Sequence, residues 1–188
     1  TGAHQHIGNW PGVTVEVQEG SFTLSDGTAA DVVDSPGIYS LSATSEDERA
    51  TLQYILSRQA DLYVNVLDAT QLERNLYLTM LLSELRVPII VVVTMMDIAR
   101  QRNTVVELPH LSEHLGVPVL GVNATRPAEL KALTDLITRL KGTDVKPMEI
   151  PMGYPNEVED EIDILDSATV KTAAGMRVPP RWVAIKAL

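Results

Sequence analysis

Asp31-Val32-Val33-Asp34-Ser35-Pro36-Gly37 is the stretch around which the rest of this chain can be placed. It ends an apolar run in a carboxylate and follows it with Pro-Gly. A carboxylate at the carboxyl end of a strand can hold Mg²⁺, directly or through water, because Mg²⁺ keeps most of its waters. A glycine three residues later lets the backbone approach closely and point an N–H group at a phosphate oxygen. The same pattern also occurs where a strand simply ends in a turn. The neighbouring segments must therefore show whether this stretch binds a metal and a phosphate.

The composition limits the classes of protein to which the chain can belong. Its 188 residues contain no cysteine and carry a net charge of −10. Without cysteine there is no disulfide framework and no thiolate metal site. The negative charge argues against nucleic acid as a partner, because neutralising phosphates needs clustered Lys and Arg. No apolar run reaches the roughly 18 residues that span a bilayer.

The hydrophobic pattern predicts strands that alternate with helices. Ile89 to Val93 is apolar on both faces, which is typical of a central parallel strand. The alternation predicts an α/β fold with a doubly wound, mostly parallel sheet, in which ligands gather at the carboxyl ends of the strands. Residues 2–12 are predicted to form a loop. We predict strands at 13–17, 21–24, 30–33, 62–67, 89–93 and 117–122, and helices at 46–58, 73–85, 110–115 and 128–140.

The composition changes at Gly142, where prolines begin to punctuate the chain. We therefore predict one domain over 1–141 and a linker with a partial helical segment over 142–188. Residues 156–166 carry six acids and three apolar residues at helical spacing, which indicates a solvated amphipathic helix. The chain starts at Thr1 in a loop-like segment and stops without a helix stop signal. We expect it to be a fragment of a longer protein.

Three further segments carry chemistry at the ends of predicted strands. Thr94-Met95-Met96-Asp97 closes the long apolar strand, and the Asp97 carboxylate can accept hydrogen bonds from both N1–H and the exocyclic amine of guanine. Adenine lacks that donor pair, so an acid here would discriminate between the two bases. Asn123-Ala124-Thr125 closes the next strand, where a backbone N–H can donate to guanine O6. Thr14 follows a Gly-rich loop, and its hydroxyl can be a Mg²⁺ ligand.

Taken together, these segments resemble the second to fifth sequence boxes of a small GTPase. Gly8-Asn9-Trp10-Pro11-Gly12-Val13-Thr14-Val15-Glu16 and Leu72 to Leu78 are similar to the cytoplasmic G domain of the FeoB family of ferrous-iron transporters. The match covers most of residues 1–141. Arg181 to Lys186 also resembles the end of that family's helical domain, which leads to the membrane part.

The resemblance implies a membrane-anchored GTPase, coupled to Fe²⁺ uptake at the cytoplasmic face of the bacterial inner membrane. Its partners would be GTP or GDP, the membrane domain of its own full-length chain and small accessory iron-transport proteins. The resemblance implies that Thr14 and Asp34 hold Mg²⁺ and that Thr14 and Gly37 are the catalytic residues. It also implies that backbone groups of Asn9 and Trp10 can hold K⁺. The implied nucleotide-binding residues are Gly12, Val13, Thr14, Asp34, Ser35, Pro36, Gly37, Thr94, Met95, Met96, Asp97, Asn123, Ala124 and Thr125.

The chain departs from the family pattern in two places, and from many other GTPases in a third. It contains no Gly-x-x-x-x-Gly-Lys-Ser/Thr box, which we expect just before Thr1 together with a central strand and a helix. Without that strand, Val32 and residues 62–67 would lose a ladder partner, and the chain as it stands should bind nucleotide poorly. Thr94 stands in place of the usual Asn, which should weaken guanine affinity. Ile38 stands where many GTPases carry a water-orienting Gln, so we expect slow hydrolysis.

Two other functions remain open from the sequence. Thr94 and the absent lysine are compatible with a degenerate, nucleotide-free G domain that acts as a regulatory or interaction module. A soluble GTPase such as a ribosome-assembly factor is disfavoured by the acidic charge and by Trp10. His4-x-His6 is expected to be exposed rather than a metal site, and His110 with His114 lacks the Glu of a zinc-protease helix.

Overall fold

The computed structural model describes residues 4–9, 16–143, 145–148 and 153–188, with only the backbone of residues 4–9, 16 and 17. Within these ranges it contains strands that alternate with helices, and a 3₁₀ turn at Ala69–Gln71. The strands are β1 (His4–Asn9), β2 (Glu16–Thr23), β3 (Ala29–Asp34), β4 (Tyr63–Asp68), β5 (Ile89–Thr94) and β6 (Val119–Gly121). The helices are α1 (Glu46–Ser57), α2 (Leu72–Glu84), α3 (Met96–Gln101), α4 (Leu108–Leu115), α5 (Pro127–Leu140), α6 (Asn156–Met176) and α7 (Pro180–Ala187).

The described strands form two sheets of three strands each. In the first, β2 lies between β1 and β3 and pairs with both in antiparallel fashion. In the second, β5 lies between β4 and β6 and all three strands are parallel. The predicted α/β class and the parallel sheet are therefore confirmed. A turn that contains Asp26-Gly27 joins β2 to β3 in an antiparallel hairpin.

Residues 4–9 form a strand, so the prediction of a loop over 2–12 was wrong there. The segment has no alternation of apolar and polar residues that would announce a strand. Its conformation comes from pairing with β2, in which His4 lies opposite Ser21 and Asn9 opposite Glu16. Two further differences concern helices: α3 was not predicted, and α6 continues ten residues past the predicted 166 to Met176.

The hydrophobic core surrounds β5, in which Ile89 to Val93 are all buried. Side chains from α1, α2 and α4 pack against it, including Ile55, Leu82 and Leu115. Met148, Ala173, Val178 and Trp182 belong to the same cluster, so the segment after residue 142 packs on the core of the preceding residues. Among the described helices, none is long and apolar enough to cross a membrane.

β4 is unusually exposed for a strand of a parallel sheet. Asn65 and Leu67 point inward and are buried, whereas Val64 and Val66 on the other face are 42% and 57% exposed. Val32 on β3 is 45% exposed. Parallel strands are normally covered on both faces, so these valines mark a part of the fold that the described residues do not cover.

Candidate functional site

The carboxyl ends of the three parallel strands meet at one edge of their sheet. Asp68 at the end of β4 lies opposite Thr94 at the end of β5, and Val93 lies opposite Gly121 of β6. The chain therefore brings the predicted segments 94–97 and 123–125 to the same edge. This is the edge at which open α/β sheets bind their ligands.

β3 runs towards the same edge, although it belongs to the other sheet. Its hairpin turn is held near the end of α5, where Lys141 Nζ lies 3.1 Å from Asp26 Oδ2 and Thr138 Oγ1 accepts from the N–H of Ser25 at 3.1 Å. At the other end, Tyr39 follows Gly37 closely, and the guanidinium of Arg74 lies 3.8 Å from its ring centroid. Because Arg74 is in the first turn of α2, which follows β4, Asp34 to Tyr39 lie on the carboxyl side of the parallel sheet.

Asp97 is presented to solvent by a sharp turn at the end of β5. Thr94 donates its hydroxyl to the carbonyl of Leu67 at 3.1 Å, which ties the end of β5 to β4. Met95 then adopts the left-handed conformation, with φ of 56°, and α3 begins at Met96. Asp97 is exposed in the first turn of this helix, where the helix dipole favours a negative charge.

Gly121 allows α3 to approach β6 closely. A Cβ atom at Gly121 would lie 2.7 Å from Sδ of Met96 and 2.9 Å from Cδ1 of Leu108. Any other residue here would force these side chains to move. Gly121 therefore leaves room for the side chain of Met96, the first residue of α3. The importance of Gly121 had no local signal in the sequence.

The loop after β6 is stabilised by two side chains that accept hydrogen bonds, the amide of Asn123 and the carboxylate of Glu129. Asn123 Oδ1 accepts from the N–H of Thr125 at 3.0 Å and from its hydroxyl at 2.7 Å. Glu129 Oε2 accepts from the N–H of Asn123 at 2.6 Å, while Oε1 accepts from Arg126 Nη1 at 3.0 Å. Glu129 was not among the predicted site residues, although an acid in the first turn after Pro127 is a typical helix-start signal.

The charge of Glu129 is set by this loop. The hydrogen bond from the Asn123 N–H and then the one from Arg126 lower the pKa of Glu129 below its ordinary value, against an opposing influence of the Asp97 carboxylate. Glu129 therefore stays ionised near neutral pH and holds the loop, while a second carboxylate stands close by. The two acids have different roles: Glu129 bonds to protein, and Asp97 faces solvent.

Asp34 and Gly37 are exposed, and among the described residues no atom beyond the chain neighbours of Gly37 lies within 4 Å of the position of a Cβ on it. The Asp34 carboxylate has no hydrogen-bond or ion-pair partner among the described residues. Nor does the described part of the chain contain a cluster of three or more metal-ligating side chains. One free carboxylate in an open site fits Mg²⁺, which takes one or two carboxylates and completes its shell with water and phosphate oxygens.

Some predicted residues cannot be placed. Trp10, Gly12, Val13 and Thr14 lie outside the described residues. Asn9 is the last residue of β1, opposite Glu16.

The chain matches the family model described as Ferrous iron transport protein B over residues 1–137. The chain belongs to the ferrous iron transport protein B family. The family predicted from the sequence boxes is thereby confirmed, and an unrelated soluble GTPase is ruled out. A curated relative, the Fe(2+) transporter FeoB of Shigella flexneri, is 49% identical over 148 residues, which cover 77% of this chain and 19% of that protein. The chain thus spans about a fifth of the length of the curated FeoB proteins that it matches.

Solved FeoB structures share the fold. The cytosolic domain of T. maritima FeoB in a GDP form superposes with a TM-score of 0.89 at 32% identity, covering 99% of this chain and 72% of that domain. The same domain in a GMPPNP form gives a TM-score of 0.88 at 32% identity, with the same coverage. These relatives are therefore similar over nearly the whole of this chain.

Proposed function

We propose that this chain is the nucleotide-binding part of a ferrous iron transporter, and that the complete protein binds and hydrolyses GTP to control Fe²⁺ uptake. The observation that carries this proposal is the convergence of the Asp97 turn and the 123–125 loop at one edge of the parallel sheet. The FeoB relatives, which were solved in GDP and GMPPNP forms, support it.

Asp97 and the loop after β6 would recognise the guanine base. The exposed Asp97 carboxylate can accept from N1–H and from the exocyclic amine. Of the three loop N–H groups, those of Asn123 and Thr125 already donate within the protein, to Glu129 and to Asn123 Oδ1. Ala124 is exposed between them and supplies the N–H for guanine O6.

Thr94 would contribute indirectly. Its hydroxyl is engaged by the Leu67 carbonyl, so it stabilises the junction of β4 and β5. It has no amide to offer to the base or to a phosphate loop. We therefore propose that guanine selection rests on Asp97 with the Ala124 N–H, and that affinity is lower than an Asn at 94 would allow.

The phosphate end of the site would be formed by Asp34 to Gly37 together with Thr14. Asp34 and Thr14 would hold Mg²⁺, which would neutralise the phosphate charge, and the Gly37 N–H would contact the terminal phosphate. The backbone of Asn9 and Trp10 would hold K⁺. Since Ile38 has no polar atom with which to orient water, hydrolysis would depend on phosphate positioning and backbone donors.

The complete protein would act at the cytoplasmic face of the inner membrane. There, the conformational change between its GTP and GDP states would be transmitted to its own membrane domain. Residues 8–16 and 34–40 are the segments that we propose to reorder between nucleotide states. The contact of Tyr39 with Arg74 would hold the second of these in one conformation. Residues 142–188 would form the start of the helical connection towards the membrane, with small accessory iron-transport proteins as further partners.

Asp97→Asn in the full-length gene product tests the proposal. An amide offers one acceptor and one donor, so it matches xanthine, whose C2 carries a carbonyl, better than guanine. We expect GDP affinity to fall by at least about 100-fold and XDP affinity to rise, because the amide can accept from only one of guanine's two donors and turns its own N–H towards the other, whereas xanthine offers that N–H a carbonyl. Fluorescent GDP and XDP analogues measure both.

Asp163→Asn is the matched control, because Asp163 is an exposed acid on α6 away from the strand ends. It should leave both affinities unchanged. Equal GDP binding by the Asp97 variant and the parent would refute the role of Asp97. A full-length parent that binds neither nucleotide would instead identify a regulatory G domain without nucleotide.

A further inference from the structure

Two of the four histidines of the chain lie side by side on the surface of α4. His110 and His114 are one helical turn apart and both are exposed. Their Nε2 atoms are 3.0 Å apart, with the rings nearly perpendicular at 88° and their centroids 4.3 Å apart. Side chains at i and i+4 lie on the same face of a helix, so both rings project from one patch of solvent-exposed surface.

The separation of the two nitrogens suits a shared metal ion. Imidazole nitrogens bind divalent transition metals at about 2.0–2.1 Å, and two such bonds at a right angle place their nitrogens about 3.0 Å apart. The rings therefore need only present both Nε2 lone pairs to one point, with a proton on each Nδ1. Without a metal, one Nε2–H can donate to the other Nε2 over the same distance.

The backbone beneath the pair is already fixed. Leu108 and Leu111 pack against the core and Leu115 is buried. The last turn of α4 is closed by Gly116, in the left-handed conformation with φ of 67°, whose N–H donates to the Ser112 carbonyl at 2.9 Å. Ser112 donates its hydroxyl to the carbonyl of Val117 at 2.7 Å. Binding would then cost little beyond the ordering of two exposed side chains.

The local electrostatics favour a cation. His114 lies in the last turn of α4, where the carbonyl end of the helix carries a partial negative charge. The chain as a whole carries a net charge of −10, which attracts cations. Mg²⁺ prefers oxygen ligands, whereas imidazole suits Fe²⁺, Ni²⁺, Cu²⁺ and Zn²⁺.

We propose that His110 and His114 form an open, two-imidazole site for a divalent first-row transition metal. In the described part of the chain no third histidine or acid completes a metal cluster there. Water or an external ligand would fill the remaining positions, so the metal would exchange freely. The C-terminal end of α4, which carries His114, leads into the amino end of β6, at the opposite end of that strand from the proposed nucleotide site.

The experiment uses the 188-residue chain with His4→Ala and His6→Ala, which leaves His110 and His114 as its only histidines. One equivalent of Cu²⁺ is added, and electron spin echo modulation counts the coordinated imidazoles. We expect two imidazoles in this parent and one after either His110→Ala or His114→Ala. Ni²⁺ affinity, measured by calorimetry, should fall about tenfold or more in each single variant, because the second ligand acts at high effective concentration.

A thermal unfolding measurement tests whether the His110–His114 site requires the folded helix α4. Ni²⁺ should raise the melting temperature of the parent, because it binds the folded state in preference, and should not raise that of the chain lacking all four histidines. Both replaced residues are exposed and alanine favours helix, so circular dichroism should show the same fold. A single imidazole in the parent, or equal Ni²⁺ affinity in the parent and the single variants, would overturn the proposal.

Discussion

At the scale of single residues, the loop of residues 123–125, which we propose to bind the guanine base, is held in place by Glu129, which does not itself contact the base. Glu129 accepts the N–H of Asn123 at 2.6 Å and pairs with Arg126. This leaves Ala124 at the exposed centre of the loop. The position of Glu129 in the first turn of α5 could be predicted from the sequence. Its hydrogen-bond donor, the N–H of Asn123, could not, because that contact depends on how the loop folds back onto the helix.

Glu129→Ala should speed the release of GDP from the full-length gene product by about tenfold, because the lost bonds are hydrogen bonds to an ionised group. The association rate should change little, since Asp97 and Ala124 remain. Stopped-flow release of a fluorescent GDP measures this rate. Glu161→Ala removes an exposed acid from α6 and is the control. An unchanged release rate in the Glu129 variant would show that the loop holds its shape without this residue.

At the scale of elements, α6 and α7 are joined by an ion pair that the sequence did not reveal. Arg181 donates to both carboxylate oxygens of Glu159, at 2.8 and 2.9 Å, and the N–H of Tyr154 donates to the same carboxylate at 2.9 Å. The bonds from Arg181, and then the one from Tyr154, lower the pKa of Glu159 to about 2. The acidic stretch 156–166 looked like a solvated helix face, because Arg181 lies 22 residues away.

This pair should make the stability of the chain depend on pH. A carboxylate whose pKa is lowered by folding stabilises the folded state above its ordinary pKa, and that stability is lost as the pH falls through the lowered value. For Glu159 the window runs from about 4.5 down to about 2. Glu159→Gln should therefore destabilise the chain at pH 6 and much less at pH 3.

Urea unfolding at the two pH values measures the difference between the parent and the Glu159 variant. Glu157→Gln is the control on the same helix, because Glu157 is exposed. A difference that stays constant between pH 6 and pH 3 would show that the ion pair adds nothing to stability.

At the scale of the whole molecule, the described residues form two sheets and leave one face of β4 uncovered. Val64 and Val66 are 42% and 57% exposed, while every residue of Ile89 to Val93 on the neighbouring strand is buried. From the family resemblance we expect a strand and a helix, encoded upstream, beside β3 and β4. We propose that these upstream elements cover the exposed valines in the full-length protein.

Val66→Thr tests this expectation. In the 188-residue chain it should change the free energy of unfolding by no more than about 0.5 kcal/mol, as is usual for an exposed position. In a protein extended by the upstream gene sequence the hydroxyl would be buried and should cost about 1–3 kcal/mol. Val92→Thr is the control that should be costly in both proteins, because Val92 is already buried. Equal, small effects of Val66→Thr in both would show that nothing upstream covers β4.

The sequence by itself determined the order of strands and helices apart from β1 and α3, the central place of Ile89 to Val93 and the family, because hydrophobic periodicity and short boxes are local properties of the chain. Only the tertiary structure decided that residues 4–9 pair with β2, that Gly121 meets Met96, and that Glu129 holds Asn123. Each of these depends on which separate segments meet, and on the hydrogen bonds or space that one of them leaves for the other. The local sequence pattern of each segment does not indicate which other segment it will contact.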